Sequence, residues 1–451
     1  MKFDLNKNIT RLNAVWNKMI NDYSKHNSAN PVCIIKGLSD IGKTSLAIEY
    51  INGHTNGMYF SFFGADNDTA LKLFCERFSL WTDLSSANSW SKIFEMLTPY
   101  LKQHKTVIAL DDLEYFKNKN EVLSSVENCI SELHEVKNLF LILQRQNKNI
   151  YSGTCYEYKM PFRSIAEIKS TYLSLSNKDV IRIYVCTGGI LSLLDLYDEN
   201  QTFEDNFKSF LCCSSSFYKL MPDMMNIVFR TPESYSRILY SIANGKNRIS
   251  DIAADVSFEN NKCDKYVKAL INAGYVAAKE IDKNRSEYYI ANSYIEFWYK
   301  YFYANRNALL MNDEDLFSRI LDNLNTSFAI NCYREACLRK ISSTFYELNY
   351  SLIKREGKPY TVRFKNGIGV HFDYALRVRG QWTFIKISTD FEWRCTKDEL
   401  QKLLAATKKL EPMLCNIRMI IFSMNRFSDY CVHEASLMSG LKLVTLERLR
   451  Y

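Results

Sequence analysis

Glycine and proline are scarce in this chain, and it has no apolar run long enough to cross a membrane. Its 451 residues include 15 glycines and 7 prolines, against 29 tyrosines and 27 phenylalanines. Few helix breakers and many aromatic side chains favour helix-rich segments with few flexible linkers. Because a membrane-spanning helix needs about 20 predominantly apolar residues, we expect no membrane partner.

Cysteine spacing typical of a metal site or a disulfide framework is also missing. The 13 cysteines form no C-x-x-C pair, and the only close pair is Cys212 and Cys213. An odd, unpatterned set predicts buried reduced thiols. The N-terminus has no apolar stretch of the kind found in secretory signals. We therefore expect a cytoplasmic protein without a zinc site.

The charge balance is only mildly basic. A net charge of +8, with 24% charged and 47% hydrophobic residues, is ordinary for a soluble globular protein of this length. Such a charge permits contact with nucleic acid, and it equally fits a solvated basic surface. The length exceeds what one hydrophobic core serves, so we expect about two to four domains.

Residues 1–160 alternate short apolar runs with helical stretches. Nearly continuous apolar strands separated by helices indicate a parallel sheet with helices on both faces. The strand-like runs are 32–36, 58–63, 107–110 and 139–143.

The rest of the chain divides into four further segments. A helical lid is predicted for 161–230, a helical connector for 293–350 and a mixed α/β domain for 351–451. The segment 231–292 has the pattern of a winged helix-turn-helix, with three helices and two strands around a polar tip. The predicted helices there are 235–243, 249–255 and 262–273, and the strands are 275–281 and 288–291.

A complete G-x-x-x-x-G-K-[ST] pattern follows the first strand-like run. Such a loop turns its backbone N–H groups toward phosphates, and the next helix adds its positive N-terminal end. The lysine reaches the β- and γ-phosphates, and the hydroxyl residue ligates Mg²⁺. The predicted nucleotide-binding residues are Gly37, Leu38, Ser39, Asp40, Ile41, Gly42, Lys43, Thr44 and Ser45.

Two aspartates at the end of the third run have the Walker B form. Asp111 would hold Mg²⁺ through water, and Asp112 occupies the position of a residue that polarises the attacking water, so we name Asp112 and Lys43 as catalytic candidates. The alternative is that Asp111 only caps the strand and Asp112 is solvated. No guanine-reading Asn/Thr-Lys-x-Asp motif follows, so ATP is favoured over GTP.

Polar residues also follow the fourth run, where a sensor for the γ-phosphate would lie. Gln144 and Arg145 are the candidates. Polar residues after a buried strand are common, so an ordinary strand end is an equal alternative.

Taken in order, several stretches resemble the archaeal-type ATPases, a P-loop group within the AAA+/STAND assemblage of archaea and bacteria. The resemblance spans nearly the whole chain, and it implies an ATPase core, a winged helix and a C-terminal restriction-nuclease-like domain. Besides the P-loop, the stretches that carry it are 110–115, 184–189, 240–245, 249–253, 289–292, 297–299 and 440–446.

This chain departs from the family pattern at the hydrolytic positions. The family usually has Asp-Glu-x-Gln-Tyr, where this sequence has Asp111-Asp112-Leu113-Glu114-Tyr115. A Gly-Arg pair after the fourth strand is replaced by Gly153-Thr154. An arginine there could stabilise developing phosphate charge, so its absence predicts slow hydrolysis.

The nuclease-like domain departs further from its pattern. Such a site needs an acid and then Glu-x-Lys on the next strand, since alternate residues of a strand share one face. Asp373 can be the first acid, but Lys386 stands in place of the glutamate and Ser388 in place of the lysine. We therefore expect a degenerate site and a fold retained for binding or packing.

The predicted winged helix offers DNA contacts or a packing surface. Cationic side chains on its third helix and at its tip would give salt-sensitive contacts to phosphates. Winged helices in such ATPases also serve as packing or protein-interaction modules, and this alternative stays open. The candidate DNA contacts are Lys262, Lys265, Lys268, Lys283 and Arg285.

The sequence thus predicts an ATP- and Mg²⁺-binding P-loop protein. The first hypothesis is a slowly hydrolysing ATPase that acts as a nucleotide-dependent switch or a DNA-associated ATPase. The second is an ATP-gated binding or signalling protein without significant turnover, and a DNA nuclease is the third. A protein partner or a second copy of the chain remains open.

Overall fold

The computed structural model describes residues 3–26, 31–133, 138–145, 147, 149–282, 285–364, 367, 369–410 and 417–449. None of the helices in these ranges combines the length and the apolar composition that a bilayer crossing requires.

A five-stranded sheet forms the N-terminal part of the chain. The strand order is β2-β3-β4-β1-β5, and every neighbouring pair is parallel. All residues of β1, β3 and β4 are buried, as expected for strands covered on both faces. The strands are β1 Val32–Lys36, β2 Gly57–Ser61, β3 Thr106–Asp111, β4 Asn138–Gln144 and β5 Tyr156–Lys159.

Helices cover both faces of this sheet, so the predicted layered architecture is confirmed. Alternate residues of β1 belong to two different apolar clusters: Cys33 and Ile35 pack with α2, while Val32 and Ile34 pack with α4 and α5. The helices are α1 Asn6–His26, α2 Lys43–Asn52, α3 Asn67–Phe78, α4 Trp90–Gln103 and α5 Lys119–Ser131, and Leu113–Tyr115 forms a 3-10 turn.

A group of helices follows the sheet. The first of them, α6, begins with a capping box in which Ser164 and Glu167 satisfy each other's backbone N–H groups. The helices are α6 Ile165–Thr171, α7 Asn177–Thr187, α8 Leu191–Leu194, α9 Phe203–Leu211 and α10 Ser216–Val228.

Three helices and a two-stranded antiparallel sheet come next, in the order that a winged helix requires. They match the predicted helices and strands to within a few residues, although the identity of this unit as a winged helix remains a prediction. The elements are α11 Pro232–Ala243, α12 Ile249–Val256, α13 Asn260–Asn272, β6 Val276–Asp282 and β7 Arg285–Ile290.

A helical segment connects these elements to the C-terminal sheet. Its helices are α14 Ser293–Phe297, α15 Arg306–Leu310, α16 Glu314–Asn323, α17 Ala329–Thr344 and α18 Tyr350–Glu356, with π-helical turns at Trp298–Tyr303 and Leu324–Phe328.

The C-terminal sheet is mixed, with the order β12-β11-β10-β9-β8. Strands β8, β9 and β10 are antiparallel, whereas β10, β11 and β12 run parallel. The elements are β8 Lys358–Arg363, β9 Gly369–Val378, β10 Gln381–Ile387, α19 Lys397–Leu410, β11 Ile417–Ser423, α20 Asp429–Leu437 and β12 Leu441–Thr445, followed by a 3-10 turn at Leu446–Arg448.

Candidate nucleotide-binding site

A cavity of about 270 Å³ lies at the carboxyl edge of the parallel sheet, where β1, β3 and β4 end. Ligands of open α/β sheets bind at this edge. The P-loop forms one wall, the end of β3 and the residue after β4 form the floor, and α8 forms the opposite wall. The lining residues are Ser39, Asp40, Gly42, Lys43, Thr44, Ser45, Asp111, Arg145, Leu191, Ser192 and Asp195.

Two glycines fix the path of the P-loop between β1 and α2. Gly42 has a φ of 98°, and a Cβ there would lie 2.8 Å from Cδ2 of Leu191. At Gly37 a Cβ would come within 2.2 Å of Cδ1 of Ile41. Because a side chain at either position would be strained and would collide with a neighbour, both positions require glycine.

Two of the predicted contact residues turn their side chains away from the cavity. Leu38 and Ile41 are 5% and 2% exposed, and both pack into the apolar core. A phosphate in the loop would therefore meet their backbone, not their side chains. This is how a P-loop cradle works, since its donors are main-chain N–H groups.

Lys43 is buried and lies folded against its own loop. Its ammonium donates to the carbonyl oxygens of Gly37 at 2.8 Å and Leu38 at 2.7 Å. Burial, together with the positive charge of Arg145, lowers the pKa of Lys43 to about 8. A bound phosphate would offer this ammonium a stronger partner than two neutral carbonyl groups.

Thr44 and Asp111 meet at the start of α2. The Thr44 hydroxyl donates to Oδ2 of Asp111 at 2.6 Å, and the Tyr59 hydroxyl donates to the same oxygen at 3.0 Å. Burial raises the pKa of Tyr59, and the nearby Asp111 raises it further, so Tyr59 remains a donor. A hydroxyl beside a carboxylate supplies the oxygen ligands that Mg²⁺ prefers, so these residues fit the predicted metal.

Asp112 is held by two side chains from neighbouring strands. Its Oδ2 accepts from the Ser61 hydroxyl at 2.9 Å, and its Oδ1 accepts from Nη2 of Arg145 at 2.7 Å. Its backbone has a φ of 59°, in the left-handed region. The carboxylate that would polarise water is thus occupied by a hydroxyl and a guanidinium, and it is not freely solvated.

Of the two predicted sensor residues, Arg145 reaches the cavity and Gln144 does not line it. The Gln144 side chain is fully buried and accepts from the backbone N–H of Ile150 at 3.1 Å, so the structure places it away from the cavity and its sensor role stays a prediction. Arg145 is the first residue beyond β4, and its guanidinium lies 5.2 Å from the centre of the Tyr115 ring. Strand alternation explains the difference, because neighbouring side chains point to opposite faces.

Several functional candidates were not identified from sequence. Tyr59 and Ser61 on β2, Glu114 after β3, Ser192 in α8 and Asp195 after α8 all contact the site residues or line the cavity. Only Glu114 carried a signal, since it stands where the resembled family usually has glutamine. The others lie far from the motifs in sequence and reach the site through the fold.

The predicted DNA-contact residues are only partly described. Lys262, Lys265 and Lys268 are exposed on α13. Lys268 pairs with Asp264 at 2.7 Å, and Lys262 lies over the Phe258 ring at 4.3 Å. The residue Lys283 and the side chain of Arg285 lie outside the described part.

The predicted degenerate nuclease site contains one acid surrounded by cations. Asp373 accepts from the backbone N–H of Ile387 at 2.8 Å and faces Lys386 at 3.9 Å. Arg334 of α17 lies 3.7 Å from its other oxygen. Ser388 is buried, and its backbone N–H donates to the Phe422 carbonyl.

No protein-family model matches the chain. A curated relative, an uncharacterized protein of Methanocaldococcus jannaschii, is 22% identical over 296 residues, which are 61% of this chain and 65% of the relative. The chain therefore spans slightly less than two thirds of that relative.

Three solved structures resemble the chain at low sequence identity. A signal transduction ATPase with a tetratricopeptide repeat sensor from Pyrococcus horikoshii has a TM-score of 0.32 and 15% identity, over 72% of this chain and 49% of its own. The Aeropyrum pernix Orc1 protein, solved with DNA, has a TM-score of 0.33 and 13% identity, over 71% and 94%. The Thermotoga maritima RuvB branch migration motor has a TM-score of 0.31 and 12% identity, over 60% and 89%. At these scores the likeness does not assign a family or a function to this chain.

Proposed function

We propose that this chain binds Mg²⁺·ATP in the P-loop cavity, hydrolyses it slowly and acts as a nucleotide-dependent switch. The observation that carries this proposal is the convergence of Lys43, Thr44 and Asp111 on one cavity at the carboxyl edge of a parallel sheet. In this arrangement the loop amides and Lys43 bind the phosphates, and Thr44 and Asp111 hold the metal. Mg²⁺ would neutralise charge between the β- and γ-phosphates.

Slow turnover is supported by the surroundings of Asp112. Ser61 and Arg145 each fill one acceptor site of this carboxylate, so fewer of its acceptor sites remain for the attacking water. Arg145 lines the cavity, and its Nη1 has no hydrogen-bond partner within the described structure. We infer that the γ-phosphate draws Arg145 toward itself and so frees Asp112.

The switch is supported by contacts between the nucleotide site and α13. Asn147, two residues beyond Arg145, donates from its side chain to the Ile271 carbonyl at 2.9 Å and from its backbone to the Asn272 carbonyl at 2.7 Å. The P-loop residue Leu38 also lies against Gly274. Its Cδ2 is 3.4 Å from the position that a Cβ would take at Gly274. A shift of the P-loop or of the segment after β4 on ATP binding would therefore reach the last turn of α13, whose exposed face carries three lysines. Binding assays with DNA, with protein partners and with a second copy of the chain distinguish which of these the lysines contact.

A second candidate, an ATP-gated binding or signalling protein without turnover, is favoured by the same Asp112 pair. If Asp112 stays bound to Arg145 with ATP in place, the nucleotide acts only as a conformational ligand. ATP that remains intact on the purified protein would support this candidate, whereas repeated turnover would exclude it. Nuclease activity is not proposed, since cations compensate the charge of Asp373.

Binding of a nonhydrolysable ATP analogue and release of phosphate, each with the unmodified chain and with Lys43→Ala, test the proposal. We expect Lys43→Ala to weaken binding at least about tenfold, because it removes charged hydrogen bonds worth roughly 1.5–3 kcal/mol. Lys402→Ala, at an exposed lysine of α19, is the matched control and should behave as the unmodified chain. Equal binding by Lys43→Ala and the unmodified chain would refute a P-loop role for this cavity.

A further inference from the structure

A buried glutamate follows the Walker B aspartates and contacts the sensor residue. Glu114 is 5% exposed, and its Oε1 accepts the backbone N–H of Arg145 at 2.8 Å. It lies in the 3-10 turn Leu113–Tyr115, which is closed by a bond from the Phe116 N–H to the Leu113 carbonyl at 3.1 Å. Lys119 stabilises the same turn, because its ammonium donates a hydrogen bond to the Glu114 carbonyl at 2.7 Å.

The position of Arg145 explains why such an acceptor matters. Strand β4 ends at Gln144, which is the last residue paired with β1, and the pairing with β3 ends at Ile142. The N–H of Arg145 therefore leaves the sheet without a strand partner, and a buried N–H without an acceptor is costly. Glu114 supplies the acceptor in place of a strand.

The same turn also contacts the side chain of Arg145. The Tyr115 ring lies 5.2 Å from the guanidinium carbon, and Asp112 binds Nη2 at 2.7 Å. Glu114 thus holds the backbone of Arg145, and its neighbours Asp112 and Tyr115 hold the Arg145 guanidinium. An arginine held at its backbone can rotate its guanidinium from Asp112 toward the γ-phosphate while its Cα stays beside the P-loop cavity.

We propose that Glu114 is a positioning residue that enables Arg145 to distinguish ATP from ADP. This inference rests on the proposed function, because it requires Arg145 to contact the γ-phosphate. ADP has no γ-phosphate, so its affinity does not depend on where Arg145 stands. A change that loosens the Arg145 backbone should therefore weaken ATP binding and leave ADP binding intact.

Three substitutions of Glu114 separate positioning from packing. Glu114→Gln keeps a carbonyl oxygen that can accept the Arg145 N–H. Glu114→Ala removes the acceptor, and Glu114→Met removes it while keeping most of the buried volume. Arg145→Ala is the reference variant, since it removes the group being positioned.

The experiment measures dissociation constants for a nonhydrolysable ATP analogue and for ADP, both with Mg²⁺. We expect Ala and Met at position 114 to lower the preference for ATP over ADP at least about tenfold, as the loss of one hydrogen bond to a charged group implies. Glu114→Gln should retain most of the preference, and Arg145→Ala should lose at least as much as Glu114→Ala. ADP affinity should stay within about twofold for all four variants.

Each other outcome overturns the inference in a recognisable way. An unchanged ratio in both Glu114→Ala and Glu114→Met would show that Arg145 needs no such anchor. If ATP and ADP affinity fall equally, or if Glu114→Gln loses as much preference for ATP as Glu114→Ala does, Glu114 serves the fold of the turn. If the unmodified chain binds both nucleotides equally, Arg145 is not a γ-phosphate sensor. Failure of the unmodified chain to bind ATP would instead refute the proposed function itself.

Discussion

Replacement of Asp112 by asparagine should separate ATP binding from ATP hydrolysis. Oδ1 of Asp112 accepts from Nη2 of Arg145 at 2.7 Å, and the two side chains are 13% and 20% exposed. The γ-phosphate and Asp112 compete for this guanidinium under the proposed function. Asparagine keeps an acceptor oxygen and loses the charge, so the competition weakens while the shape of the site is preserved.

The magnitude is the Coulomb attraction that asparagine no longer supplies. Arg145 keeps its charge after Asp112→Asn, so its bond to the asparagine oxygen still has one charged partner, and only the ion-pair part, on the order of 1 kcal/mol, is removed. At about 1.4 kcal/mol per tenfold, ATP should bind about fivefold more tightly. Hydrolysis should fall by about 10²–10⁴-fold, because the residue can no longer accept a proton.

Titration calorimetry with ATP and ADP, combined with single-turnover phosphate release, measures both effects. ADP affinity should not change, since ADP does not recruit Arg145. Asp255→Asn, at an exposed aspartate of α12, is the matched control. Unchanged or weaker ATP binding by Asp112→Asn would refute the competition between Asp112 and the γ-phosphate, and unchanged turnover would remove Asp112 from the reaction.

Three further predictions concern the same site. Because the pKa of Lys43 is lowered to about 8, the nucleotide-free protein loses this positive charge above that pH, and ATP affinity should then fall toward tenfold per pH unit. The pH effect should be absent from Lys43→Ala. Thr44→Val removes the hydroxyl bound to Asp111, so affinity for ATP with Mg²⁺ should fall about tenfold while Mg²⁺-free binding changes little. Asn147→Ala should reduce the ATP-dependent change in hydrogen exchange of α13 and leave ATP affinity within about twofold; an unchanged exchange response would exclude Asn147 as the link.

The strands of the N-terminal parallel sheet were predictable where they are fully buried. Runs such as 139–143 are continuous and apolar because both faces of β4 are covered, and such runs stand out in a sequence. Strand β5 was missed for the opposite reason. It lies at the sheet edge, only Tyr158 among its four residues is buried, and its sequence Tyr-Glu-Tyr-Lys has no apolar run.

The P-loop glycines were predictable because the motif fixes their spacing, and the two aspartates because they stand at the end of an apolar strand-like run. The side chains that contact Asp112 were not, because Ser61 comes from β2 and Arg145 follows β4, and both meet it only when the sheet assembles. Sequence also left Gln144 and Arg145 equivalent. Only the end point of β4 decides which of these neighbours turns into the core and which reaches the cavity.

Asp373 of the C-terminal sheet lies between two cations, one from its own sheet and one from the preceding helical segment. A mostly shielded carboxylate requires compensation, and Asp373 obtains it from Arg334 of α17 at 3.7 Å and from Lys386 of β10 at 3.9 Å. This arrangement fastens the sheet to α17. Helix α7 also contacts the end of this sheet, since Asn177 donates to the carbonyl of Met424, the residue after β11, at 2.7 Å. If α7 moves when the nucleotide binds, it must therefore carry the C-terminal sheet with it or break this contact.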